Sequence, residues 1–543
     1  MASRPLFLFL LLTGLSSIVR GQYQFDFLHH LENAMADTVV YQLGSPHHGA
    51  LRPLNRWAID SIKRPFQKER SAKAGGSGWL YRKAFVENLV QIDRPEYALT
   101  INPVVNFQGS DMSNTSYVGY VNTRGYLLEG RIGQDLTFYS TFLENQGRYA
   151  PYMRRYADEY RVIPGQGSTV RGFGDRGVDY SLPAGAVAYS PGKHFSFSLG
   201  QGRHFLGEGY RSLFLSDFSF SYPYFRIETQ FGPVKYLNLW EQLYDTRQEA
   251  RAPAYDNVYG KKYLSSHYLS INIGKRWNIA FFEAIILGDT TQQRGLDASF
   301  FNPVIFYRPI EFAVGSGSGN ALLGGALSYK IMDGYQAYGQ FLLDEFSIED
   351  LLARNGSWVN KYAWQIGLKH YGALGIPGLF ARLEYNGSRP YNYSHRTVLT
   401  NYAHYGSPLA HPYGANFHEL LGQLFYRRER WEFEGRLIYA LRGMDDEQNY
   451  WGTDLYRSYN QRVKDQGNWV GQGLSSHFWY GLARVAYRVN PASNLKLEAG
   501  LRWRSLQPRK ENIARATAPF ATGNLFWGFI GLRTALFNQY FDF

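Results

Sequence analysis

Four histidines, His395, His404, His411 and His418, fall within 24 residues of one another. Histidine binds metals and moves protons near neutral pH, so such a cluster invites a functional reading. Spacings of nine, seven and seven match no helical or hairpin metal motif, and no metal or cofactor is expected. GFGDRG (172–177) fits G-x-G-x-x-G as a bare pattern. The dinucleotide fingerprint needs a helix after it, whereas VDYSLP follows here, with Pro183. GSGSGN (315–320) has Gly317 where a nucleophile elbow needs serine, so it reads as a flexible turn. Asp344 with Glu345, and Glu241 with Asp245, are possible carboxylate pairs, but charged side chains routinely fill a polar lumen and a lumenal network is the default reading. No Ser/His or Asp/His constellation stands out by spacing. Catalytic residues are therefore not expected, and the chain is not read as an enzyme.

The surrounding composition points to export. MASRPLFLFLLLTGLSSIVRGQYQ opens with one basic residue and an apolar stretch too short to span a bilayer, so residues 1–21 are expected to be a cleaved signal peptide. The chain has no cysteine, which excludes disulfides, thiolate metal sites and a cysteine nucleophile. Aromatics make up 17% of it, with 43 Tyr and 37 Phe. The net charge of +12 comes from Arg and Lys spread along the chain, which disfavours nucleic acid and favours anionic lipid, lipopolysaccharide or polysaccharide.

After residue 95 the chain alternates. In LKLEAGLRWR (495–504), Leu495, Leu497, Ala499, Leu501 and Trp503 interleave with Lys496, Glu498, Gly500, Arg502 and Arg504. Gly481–Val489, Trp431–Tyr439 and Leu379–Asn386 repeat the pattern. Strands place alternate side chains on opposite faces, so each run has an apolar and a charged face. Lipid forbids open sheet edges, and such strands must close. The expected fold is all-β: a transmembrane antiparallel outer-membrane β-barrel over 96–543, with 16 or 18 strands drawn from about nineteen strand-like runs. Asn122–Gly125, Gly315–Asn320, Asp333-Gly334 and Asn490–Asn494 read as turns. Residues 22–95, with helix-like spacing in 25–37 and 54–70, form a partly helical extension at the periplasmic mouth. In the final stretch LFWGFIGLRTALFNQYFDF, Phe537, Phe541 and Phe543 share one parity, as expected of a lipid-facing row that signals to the barrel-insertion machinery. Arg533 shares that parity; ten residues at about 2.5 Å of height each would put it at the opposite interface, and a bulge is the other explanation.

Three longer segments carry a resemblance: HFSFSLGQGRHFLGEGYRSLFLSDFSFSYPYFRIETQFGPVKYLNLWEQLYD (194–245), FFNPVIFYRPIEF (300–312) with NALLGGALSYK and YGQFLLDEF after it, and RLEYNGSRPYNYSHRTVLTNYAHYGSPLAHPYGANFHE (382–419). Together they resemble the Bacteroidota outer-membrane barrel family of the gliding-motility protein RemB. More distantly they are similar to the capsule-assembly family of Wzi, which shares a G-(K/R)-x-x-x-G…S-L-x-L-S-(D/N) segment. The resemblance implies a role in gliding, adhesin display or exopolysaccharide attachment. Its partners would be a surface polysaccharide or motility and secretion proteins. A Wzi-like protein would grip a glycan with Arg and aromatic residues. The candidates are Arg203, His204 and Arg211 in the first segment, and Arg389, Tyr391, Tyr393, His395, Arg396, Tyr402, His404 and His411 in the third. Against this stands a second reading, in which the third segment folds inward and plugs the barrel. A porin passing small solutes is the alternative function.

Overall fold

The computed structural model describes residues 28–32, 34, 40–54, 78–247, 259–289, 295, 297–303, 307, 309, 319–509 and 523–543. The alternating runs form eighteen long antiparallel strands that close into one barrel. They are β1 (Tyr97–Met112), β2 (Gly119–Ile132), β3 (Leu136–Arg148), β4 (Gly177–Tyr189), β5 (Phe195–Gly202), β6 (Tyr222–Phe231), β7 (Val234–Asp245), β8 (Gly260–Ile273) and β9 (Trp277–Asp289). The second half comprises β10 (Gly319–Met332), β11 (Tyr335–Glu345), β12 (Lys361–Tyr371), β13 (Leu379–Ser388), β14 (Phe417–Arg428), β15 (Trp431–Arg442), β16 (Ser476–Asn490), β17 (Leu495–Pro508) and β18 (Gly523–Thr534). Pairing of β18 with β1, from Trp527↔Met112 to Arg533↔Asn106, seals the ring.

Connections at the two ends differ in kind. At one end they are turns of two to seven residues, such as 232–233, 333–334 and 429–430. At the other they reach 28 residues at 389–416 and 33 at 443–475. Short turns mark the periplasmic end of such barrels and long loops the outer end. Asp333-Gly334 and the stretch after Asn490 turn as expected, with Gly334 at φ 80°. Asn122–Gly125 does not. It lies inside β2, where Thr123 Oγ1 donates to Asn145 Oδ1 (2.7 Å) and a Cβ on Gly125 would strike the Phe142 carbonyl. Residues 315–318 lie outside the described residues.

The faces follow the sequence. Leu497, Leu501 and Trp503 are exposed on the wall, while Lys496, Glu498, Arg502 and Arg504 are buried in the lumen. The exposed belt continues round the barrel through Phe107, Val187, Leu199, Phe281, Phe341, Ile366, Leu383, Leu424, Phe433 and Ile530. Among the described residues no helix is long and apolar enough to cross a membrane, and the crossing is made by strands.

Among the described residues four segments are prominent inside the lumen, and residues 152–163 of the β3–β4 loop pack against them. From the N-terminal side, residues 40–48 line the short-turn end, where Gly44 N–H donates to Lys275 O (3.1 Å). Leu51–Arg52 then pairs deep inside with Phe205–Leu206. The N-terminal extension is thus threaded into the barrel, beyond the mouth where the sequence placed it. Residues 54–70 lie almost wholly outside the described residues. The second and third segments are loops 203–221 and 389–416, and the fourth is 535–543.

That fourth segment corrects an expectation. Beyond Thr534 the chain leaves the sheet and turns inward, so Phe537 is half-buried and Phe541 and Phe543 are buried in the lumen rather than facing lipid. Arg533, the residue that did not fit a lipid-facing row, faces the lumen and donates from NH2 to Phe537 O (2.5 Å). The shared parity was lumenal. Tyr152 OH donates to Phe541 O (2.6 Å) and Arg504 Nε to Phe543 O (3.3 Å), while Asp542 meets Arg211 (3.4 Å) and Arg436 (3.1 Å). Removing one partner from a buried ion pair strands a desolvated charge, at a cost of about 3–5 kcal/mol. Asp542→Ala is expected to lower barrel stability by about that much, read as an earlier loss of heat-resistant gel mobility and an earlier urea transition in vesicles.

Candidate functional site

Most of the residues singled out from the sequence are buried inside the barrel. Arg203 donates from NH1 to the carbonyls of Gly165 (2.6 Å) and Asp217 (3.0 Å) and stacks on Phe537. His204, wholly buried, hydrogen-bonds with Tyr222 OH and lies 3.8 Å from Glu241; burial holds its imidazole well below its usual range. Arg211 binds Glu419 Oε1 (3.1 Å), and His411 Nε2 takes the other oxygen of the same carboxylate (2.8 Å). One buried glutamate therefore ties loop 203–221 to loop 389–416.

Loop 389–416 is a plug. Tyr393 OH donates to Leu213 O (2.9 Å) and Tyr402 OH to Phe214 O (2.6 Å), so one plug segment is bonded to the other. Tyr391 and Tyr393 both adopt φ 67°, a left-handed backbone that non-glycine residues hold only where the surroundings over-determine it. Asp344 supplies part of that constraint, accepting Tyr393 N–H (2.8 Å) and pairing with Lys361 (3.2 Å). The expected carboxylate pairs are lumenal but not equally engaged: Asp344 and Glu345 meet Lys361 and Asp245 meets Arg247, whereas Glu241 comes no closer than 3.8 Å to His204. The four histidines do not converge. His395 bonds Thr400 Oγ1 (2.6 Å), His404 accepts Tyr244 N–H (3.0 Å), His411 takes Glu419, and His418 meets Tyr385 OH (2.8 Å) on the outer wall. No group of three or more His, Cys, Asp or Glu able to hold a metal occurs among the described residues. GFGDRG forms an exposed hairpin turn with Gly174 and Arg176 at positive φ and leads into β4, not a helix.

Only Arg389 and Arg396 of the eleven ligand candidates escape full burial. Both border a patch that spacing did not reveal. Arg389 donates from NH2 to Ser357 O (3.0 Å), next to Trp358. Ser458, next to Tyr459, donates to Arg396 O (2.7 Å). The Trp358 and Tyr459 rings lie 4.7 Å apart, and the Arg462 guanidinium sits 4.1 Å over Trp358. Gly467 N–H to Asn355 O (2.8 Å) and Trp358 N–H to Asp465 O (2.9 Å) lock the two outer loops together under this patch. Trp469 stands exposed on the same loop. These residues come from loops about a hundred positions apart in sequence, and the only prior signal was the clustering of Trp and Arg within each.

The geometry defines an outer-membrane-type β-barrel: eighteen strands, an apolar belt, a filled lumen and long loops at one end. No protein-family model matches the chain, and no curated protein matches it. Solved structures do. Wzi of Escherichia coli, described as an outer-membrane protein involved in group 1 capsule assembly and a carbohydrate-binding β-barrel, aligns over 93% of this chain and 98% of its own, with a TM-score of 0.52 and 13% identity. OprD of Pseudomonas aeruginosa aligns over 80% of this chain and 94% of its own, with a TM-score of 0.41 and 10% identity. OccAB2 of Acinetobacter baumannii aligns over 80% and 97%, with a TM-score of 0.41 and 10% identity. At these identities the likeness is one of fold.

Burial moves His395 down to about 4 and His404 down to about 3 from an ordinary 6.5. Both folded values lie below the unfolded one, so the neutral imidazoles contribute stability that is present above about pH 6.5 and lost as pH falls toward those values. Amide exchange across 395–411, corrected for intrinsic rate, is expected to lose protection between about pH 6.5 and pH 4. His395→Gln with His404→Gln is expected to flatten that dependence.

Proposed function

We propose that the chain works in the outer membrane as a surface-organising binding protein, exported with its signal peptide removed. On this reading it holds a surface polysaccharide, and its role lies in capsule or exopolysaccharide attachment or in gliding motility. The observation that carries the reading is the outer-loop patch in which half-buried Trp358, Arg462 and Arg389 lie over the buried Tyr459 ring beside exposed Trp469, on a barrel whose lumen is occupied by its own chain. Sugar rings stack on aromatic faces, and a guanidinium pairs bidentately with a uronate carboxylate. Wzi, with the same fold, is a carbohydrate-binding barrel involved in capsule assembly, which agrees with this reading. The buried Arg203, His204, Arg211, Tyr393, Tyr402 and His411 act in it as the rigid base beneath the outer loops. A motility or secretion protein could use the same patch, since aromatic and Arg-rich surfaces suit both kinds of partner.

The test is planar-bilayer conductance of the refolded chain together with retention of surface polysaccharide from the native cell. Silence in the bilayer, with retention that falls at least about ten-fold in Trp358→Ala and Arg462→Ala, is the expected outcome; ten-fold corresponds to about 1.4 kcal/mol. Arg203→Ala is expected to lower stability instead and leave retention per folded molecule unchanged. Steady ohmic conductance indifferent to polysaccharide would replace this reading with a porin. Silence without retention would point to a protein partner.

A further inference from the structure

The wall over β7, β8 and β9 breaks the rule that its outer face is apolar. On β8, Ser265 and His267 lie two residues apart and share a face. Their register partners across the sheet include Asn238 on β7 and Glu283 on β9, both opposite His267. The alternate residues Tyr268 and Phe282 point into the lumen, where Phe282 stacks on Phe214 of the plug (4.7 Å). Ser265, His267, Asn238 and Glu283 therefore face outward, toward lipid, yet all four are buried.

What buries them are Phe300 and Tyr307, described residues between β9 and β10 that lie against the outside of the barrel. Trp240 Nε1 donates to Phe300 O (2.8 Å), and Phe300 packs on Ile285. Tyr307 N–H donates to Glu283 Oε1, its ring stacks on His267 (4.3 Å), and its hydroxyl reaches His267 Nε2 (2.8 Å). The same hydroxyl approaches Ser265. Ser265 Oγ, His267 Nδ1 and Asn238 Oδ1 make no well-formed hydrogen bond among the described residues, and Glu283 Oε2 lies 3.8 Å from His267 Nδ1.

Ionisable groups at membrane height on a lipid-facing wall are costly, and where they occur they mark function by default. Fastening a loop needs neither a histidine–carboxylate pair nor a serine beside it. Residues i and i+2 of a strand are about 6.7 Å apart along one face, within mutual side-chain reach. Cross-strand partners lie closer still, at about 4.5–5.5 Å. The sheet thus places Ser265 and His267 on one face, with the Tyr307 hydroxyl against both and Glu283 3.8 Å from the far ring nitrogen, in the order nucleophile, base, orienting group. The Tyr307 phenol occupies Nε2, the nitrogen that would take the serine proton.

We propose that Ser265 and His267, positioned by Glu283, form an acyl-transfer site that opens toward the bilayer and takes a carboxylic ester of a membrane lipid, with Tyr307 as its cap. Ser265 Oγ attacks the ester carbonyl as its proton passes to His267 Nε2. The carbon–alkoxy bond breaks, the alkoxide leaves with that proton as an alcohol, and an acyl-serine remains. Water then attacks the acyl carbon, again giving a proton to His267 Nε2, which returns it to Ser265 as the carboxylic acid departs. Asn238, on the same face and opposite His267, offers its side-chain amide to the oxyanion. This inference is independent of polysaccharide binding at the outer loops.

The full chain is refolded into diacyl phospholipid vesicles and treated with a fluorophosphonate, which forms a Ser O–P bond, expels fluoride and passes the serine proton to the base. Labelling is expected at Ser265, to be absent in Ser265→Ala and to fall about a hundred-fold in His267→Ala. It is expected to rise about ten-fold in Tyr307→Phe, which loses only the capping hydroxyl. Release of fluorogenic fatty acid from the vesicle phospholipid is expected to rank the four proteins in the same order. All four should show the same heat-resistant gel mobility, since each change is small and leaves the strands intact. Labelling of wild type and Tyr307→Phe no higher than that of Ser265→Ala would overturn the site. Labelling of Ser265 without fatty acid release would overturn the membrane lipid as its substrate.

Discussion

Eighteen strands closed on themselves enclose more space than the side chains of the wall can fill. The rest of the molecule answers to that constraint. Burying plug segments in such a space takes backbone amides, hydroxyls and charges away from water, and most of them then need a partner in the protein. The lumen meets this with shared carboxylates. Glu419 serves Arg211 and His411, Glu434 serves Arg436 and Arg484, and Glu432 serves Arg427, Arg488 and Lys496. Each carboxylate thereby connects elements distant in sequence, and Glu32 brings the N-terminal segment into the last of these groups. The interior behaves as the core of a soluble protein wrapped in a membrane wall.

That arrangement explains why the outer loops can present a defined surface. A loop of 28 residues would ordinarily cost a great deal of chain entropy to hold still. Here 389–416 is bonded downward to 203–221 through Tyr393 and Tyr402, and that segment is in turn fixed to the wall through Glu384, which accepts the N–H groups of Tyr210 (2.8 Å) and Arg211 (3.1 Å). Trp358, Tyr459 and Arg462 rest on this foundation. The burial of most of the residues that looked ready to bind a ligand is what holds half-buried Trp358 and Arg462 in place over the buried Tyr459 ring.

The wall was readable in the sequence because alternation is local. Leu495–Arg504 shows both faces within ten residues, and no other part of the chain is needed to interpret it. Arg533 carried the same local information, but the three phenylalanines outweighed it in favour of the lipid side, and the structure turns this stretch inward. The plug was not readable, because its partners are remote: His30 meets Tyr540 across 510 positions, and Tyr152 meets Phe541 across 389. The grouping of Ser265, His267 and Glu283 was hidden in another way. It depends on the register between β8 and β9, and a slip of one residue would send Glu283 into the lumen.

The seam between β18 and β1 joins residues more than four hundred positions apart, as in the pairing of Trp527 with Met112. Contacts so distant make folding slow, because chain entropy is surrendered before they return anything. Until that seam zips, β1 and β18 both present open edges, and the ring cannot seal around its filling. Sixteen strands' worth of chain must therefore wait in an unfinished, association-prone state. The lifetime of that state, rather than the stability of the finished barrel, sets how much this protein depends on chaperoned delivery to the membrane.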